Sequence, residues 1–106
     1  MHTVVRRYHL DDGDIDELMH RVDTRFADRL ASEPGFIAYE ALKSGSDAVI
    51  TITTFTDTEG CDRSTELAAA FVRDELSDMA MSRLDSLHGD VMVSRAAQAV
   101  LEPAHA

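Results

Sequence analysis

The chain predicts an α+β fold with the element order β-α-β-β-α-β, a four-stranded antiparallel sheet carrying two helices on one face. Three observations lead there. Two long stretches, from about Ile15 to Ala31 and from Thr56 to about Met79, repeat apolar residues at spacings of three and four, as an amphipathic helix does. Ala48 to Phe55 is almost entirely β-branched or aromatic, the composition of a strand. A chain of 106 residues suits one domain, so the remaining extended stretches must join the same sheet.

Thr3 to Leu10 reads as the first strand on the strength of Val4, Val5 and Tyr8. Its register stays open: either Arg6 and Tyr8 or Arg7 and His9 point inward. Asp11-Asp12-Gly13-Asp14 turns into the first helix, with Asp12 or Asp14 as cap and acidic residues at the positive end of its dipole. Ile15, Leu18, Met19, Val22, Phe26 and Leu30 form that helix's apolar stripe. Pro34-Gly35 ends it, because proline cannot continue a helix and glycine accepts the corner's φ. Phe36 to Lys43 is the second strand, Ser44-Gly45-Ser46-Asp47 a hairpin loop and Ala48 to Phe55 the third strand. The second helix shows Leu67, Ala68, Phe71, Val72, Leu76 and Met79 as its stripe. Residues 80–89 read as a loose turn or a helical extension, and Asp90 to Arg95 as a short fourth strand. Residues from about 97 to 106 read as an Ala-rich C-terminal tail of the single 1–106 domain. This is the ferredoxin-like arrangement.

Ten basic residues against twenty acidic ones leave a net charge of −10. That sign argues against a nucleic-acid backbone or an anionic membrane surface as partner. One cysteine, Cys61, permits no intrachain disulfide, and no signal-peptide pattern opens the chain, so a reducing cytoplasm is the expected location.

Helices cover one face of the sheet only. The alternation of the third strand puts Ile50 and Ile52 on one face and Thr51, Thr53 and Phe55 on the other, which is read as the uncovered one, together with Phe36 or Tyr39. Apolar area of that kind predicts a homodimer through the open sheet face, the two sheets enclosing a cavity.

The Pro34-Gly35-Phe36-x-x-Tyr39 corner and the Phe55-Thr56-Asp57 step from strand into helix resemble the antibiotic biosynthesis monooxygenase-like group of dimeric α/β-barrel proteins. The likeness covers residues from about 3 to 96. It implies a dimer and, in some members, cofactor-independent oxygenation of quinol-like aromatics. The oxygenases of that group rely on an Asn and a Trp in the cavity, and its haem-degrading branch adds a His. This chain has no Asn and no Trp, so no catalytic residue carries over.

From the residues themselves, His9, Arg7 and Tyr39 are the candidate catalytic groups: a base titrating near neutrality, a cation for an anionic or phenolic ring, and a hydroxyl. Each has a plainer reading, the first two as rim residues paired with carboxylates, the third as a ring packed under a helix. Thr51, Thr53, Phe55, Phe36 and Glu40 are the expected lining of a cavity for a small apolar or aromatic ligand. His2, His20, His88 and His105 lack ligand spacing, so no metal is expected. Cys61 stands near a helix start but has no fixed His partner, which makes a nucleophile there improbable. Two functions follow: a cofactor-independent oxygenase, or a non-catalytic ligand-binding or structural dimer.

Overall fold

Strand β3 (Ala48–Phe55) pairs on both sides and sets the geometry of the whole sheet. In the computed structural model, which describes residues 1–97, the order is β1 (His2–Asp12), α1 (Ile15–Arg21), a π-helical segment (Val22–Phe26), α2 (Ala27–Ala31), β2 (Phe36–Ser44), β3, α3 (Thr58–Glu75) and β4 (Ala80–Asp90). The sheet is antiparallel throughout, in the order β2-β3-β1-β4. The expected architecture is therefore present. The tail from 98 onward lies outside the described residues.

Local chemistry explains the boundaries. Asp14 caps α1 by accepting from the Asp16 N–H, and Asp57 caps α3 by accepting from the Gly60 N–H. Gly35 adopts φ 82°, in the left-handed region that glycine enters without penalty. The first helix runs unbroken through its π segment, where the Ala27 N–H donates to the Val22 carbonyl. Leu18, Val22, Phe26 and Leu30 stand four apart. An α-helix at about 3.6 residues per turn would rotate the last of these roughly 120° away from the first. The wider π turn takes up that drift, so Leu18, Phe26 and Leu30 are all buried on the sheet.

Two expectations fail. The fourth strand is Ala80–Asp90, eleven residues, and residues 91–97 form no strand. The stretch 80–89 lacks β-branched residues, so propensity did not mark it. As an edge strand it is held by its backbone pairing with β1, with an extra residue, Leu84, between the pairs Tyr8–Arg83 and Arg7–Asp85.

The second failure is the phase of β3. Val49, Thr51, Thr53 and Phe55 are buried beneath the helices, while Ile50 and Ile52 take the open face. Alternation fixes which residues share a face but not which face is covered. Here Phe55 decides. Gly60 brings α3 so close that an added Cβ would lie 2.6 Å from Cγ of the Phe55 ring. That ring packs edge-on to Phe36 at 5.7 Å. The core consequently joins Phe55 and Val49 to Val4 and Leu10 of β1, Leu18, Phe26 and Leu30 of the first helix, and Phe71 and Leu76 at α3 and its end. Each such side chain contributes about 1.5–3 kcal/mol of burial free energy.

The open face stays apolar all the same. Val5, Ile50 and Ile52 lie half-buried on it, and Leu42 and Leu87 are 46% and 68% exposed. Glu40, opposite Ile52, shares this face.

Candidate functional site

Beneath the helices, the inward alternation of the sheet brings several polar groups into an apolar recess. Val4, Arg6, Tyr8 and Leu10 form the inward face of β1, and Tyr39 that of β2. Leu18, Val22 and Phe26 close the recess from the first helix, and Phe71, Val72 and Leu76 from α3 and its end. Met81 of β4 completes the wall. The recess is partly open and its volume is about 40 Å³, enough for a few waters and well below the roughly 150 Å³ that admits a benzene ring.

Arg6 is the unusual member. It is 2% exposed, yet no carboxylate pairs with it among the described residues. Its Nη2 donates to Ser64 Oγ at 3.0 Å and to Thr65 Oγ1 at 2.7 Å, both on α3. Its Nε has no partner, and neither does Thr51 Oγ1 in the same wall. Burial pulls the guanidinium below its ordinary value. Tyr8 and Tyr39 face this cation. Burial pushes both phenols up despite the charge of Arg6, so both remain O–H donors at neutral pH. The Tyr39 ring also meets Phe26 edge-on at 5.7 Å. Arg83, opposite Tyr8 on β4, is exposed and makes no ion pair among the described residues.

The register of β1 is thus the Arg6/Tyr8 one. Arg7 and His9 occupy the open face, where Arg7 makes a bidentate pair with Asp85. His9 donates to Asp11 at 2.6 Å and Asp47 at 3.0 Å, which raises its pKa, Asp11 acting most strongly. Of the three candidate catalytic groups, Tyr39 alone lines the recess. Of the expected lining residues, Thr51 lines it. Thr53, Phe55 and Phe36 lie on the same covered side without bordering it, and Glu40 lies across the sheet. This recess therefore sits between sheet and helices.

Met81 was missed, and Arg6 stood only in one of the two open registers of β1. For Arg6 a signal existed: Val4, Tyr8 and Leu10, at two-residue intervals around it, make that side of β1 the more apolar one. His2 is buried in β1 and meets His88. Cys61 donates to the His2 carbonyl, and burial raises its thiol, which stays protonated. Among the described residues no group of three or more His, Cys, Asp or Glu is arranged to hold a metal, and no helix is long and apolar enough to cross a membrane.

No protein-family model matches the chain, and no curated protein sequence does. Solved structures do. SnoaB, a cofactor-independent oxygenase from Streptomyces nogalater, superposes with a TM-score of 0.65 at 20% identity over 88% of this chain and 94% of its own. A Chloroflexus aurantiacus protein provisionally assigned as an antibiotic biosynthesis monooxygenase gives 0.67 at 13% identity over 90% and 96%. A dimeric ferredoxin-like protein from an uncultured marine organism gives 0.68 at 10% identity over 92% and 100%. The resemblance to antibiotic biosynthesis monooxygenase-like proteins is real at the level of the fold.

Proposed function

We propose that this chain is a small cytoplasmic homodimer, joined through its open sheet face, that oxidises a small phenolic or quinol-like aromatic with dioxygen and without a cofactor. The reaction takes place in the recess between sheet and helices. The observation that carries the reading is Arg6. A buried cation costs several kcal/mol unless a counter-charge or full hydrogen bonding meets it. A phenolic ring that ionises inside the recess supplies that counter-charge, and Arg6 lowers the cost of its ionisation. Tyr8 and Tyr39 donate to ring oxygens, and the unpaired Arg83 draws an anion toward this part of an otherwise acidic protein. The ionised quinol then passes electrons to dioxygen. One oxygen atom enters the ring, the other leaves as water, and the quinol ends as a hydroxyquinone. The likeness to SnoaB supports this reading only through the fold.

The recess is partly open but small, so a ring enters only if side chains such as Met81 or Leu76 swing aside. Oxygen uptake with chemically reduced quinols tests the proposal. Uptake above a heat-killed control, lost in Arg6→Met, is the expected result; none across a panel of quinols would overturn it. The small volume of the recess favours a second reading, a non-catalytic ligand-binding or structural dimer. Native mass spectrometry showing a bound apolar molecule, or an empty dimer, without oxygen uptake would establish that instead.

A further inference from the structure

A second opening lies at the N-terminal end of α3. This cleft, of about 220 Å³, is bordered by His2 and Ser86, by Thr58 and Thr65, and by His88 and Asp62. On its sheet side three residues form a chain. Asp90 Oδ1 lies 3.0 Å from His2 Nδ1, and His2 Nε2 lies 3.1 Å from His88 Nδ1, the two rings tilted by 49° at a centroid distance of 5.2 Å.

The direction of these bonds follows from their chemistry. A carboxylate only accepts, so the His2 Nδ1–H donates to Asp90. Neutral His2 then presents a lone pair at Nε2. His88 must fill it through its own Nδ1–H, which leaves His88 Nε2 as a lone pair. His2, only 8% exposed and tied by its carbonyl to Cys61, holds this relay firmly. Asp62 also only accepts. The Thr65 hydroxyl is spent, accepting from Arg6 and donating to the Cys61 carbonyl. Among the described residues no Lys or Arg borders the cleft.

We propose that this cleft is a binding site for a small primary ammonium compound, whose N–H groups are received by His88 Nε2 and the Asp62 carboxylate. The site uses none of the residues assigned to the oxygenase reaction, so either can fail without the other.

Ethanolamine serves as the probe. In long-range ¹H–¹⁵N NMR, whenever the two rings are neutral, both His2 and His88 should carry their proton on Nδ1. Ethanolamine should shift the His88 and Asp62 resonances saturably, and His88→Ala or Asp62→Asn should each weaken binding about tenfold, the worth of a charge-assisted hydrogen bond. Asp90→Ala should release the tautomer lock and weaken binding as well. Glycolate, an anion of similar size, should not bind. An Nε2–H tautomer at His88 would overturn the proposal. So would the lack of saturable shifts at about 50 mM ethanolamine, or glycolate binding equally well.

Discussion

Replacing Arg6 by methionine should make this protein more stable while removing its grip on an anionic ring. The side chain gives up two hydrogen bonds, to Ser64 and Thr65, together worth about 2–3 kcal/mol. Neither hydroxyl is stranded, because each also donates to the Cys61 carbonyl, at 2.6 and 3.1 Å. Against that loss stand two gains. Removing a desolvated cation with no carboxylate partner relieves a cost of several kcal/mol. The methionine buries apolar surface in its place, worth roughly 1.5–3 kcal/mol. The balance favours the variant by about 1–3 kcal/mol, the range found when buried ionic groups are exchanged for apolar ones. For a domain of this size that raises Tm by roughly 5–15 °C. Urea titrations of both proteins at one fixed chain concentration measure it, since self-association couples stability to concentration. A variant less stable than its parent by more than about 1 kcal/mol would refute the reasoning. It would show that Arg6 is a compensated structural residue and not a charge awaiting a counter-ion.

Three further outcomes are expected. The doubly bonded His9 has a raised pKa in the fold, so its contribution is present in full below about pH 6.5 and is lost as pH rises through the raised value. The difference in urea midpoint between the parent and His9→Gln should therefore shrink between about pH 6 and pH 9, and a constant difference would discount the clasp. Gly60→Ala would drive a methyl group into the Phe55 ring and should cost about 2–4 kcal/mol by urea denaturation. Ile52→Lys, on the open sheet face, should convert a dimer into the 11.7 kDa monomer by sedimentation. If the parent itself sediments as a monomer, that face is not an interface between copies.

The fold was legible because it rests on strong local signals. The apolar spacing of Ile15 to Leu30, the proline-glycine stop at Pro34-Gly35 and the β-branched run to Phe55 each follow from local chemistry. β4 was not legible, since Ala80–Asp90 is a strand by virtue of the partner it pairs with and not by its own propensity. The site was only partly legible. Thr51 and Tyr39 were named, but the side of the sheet that holds the recess was reversed. Two isoleucines outweigh two threonines in hydrophobicity, and that comparison suggests the wrong face. The choice turned on a tertiary contact, the seat of Gly60 on Phe55, which no single stretch of sequence displays. The meeting of His2 with His88 was invisible for the same reason: 86 residues separate them along the chain.

The π segment at Val22–Phe26 restricts how this lineage can vary. Deleting one residue there would restore ordinary helical winding and leave Leu30 only about 20° around the axis from Leu18. Phe26 and Leu30 would then still face the sheet, whereas inserting a residue there, or deleting one from the ordinary turns on either side, would rotate them away from it. Point substitutions should pass freely on the exposed side of this helix, while the length change it tolerates best should be loss of the one extra residue in the wide turn. Close relatives of this chain should show the interval from Leu18 to Leu30 either as it stands here or one residue shorter, even where little else in the helix is shared.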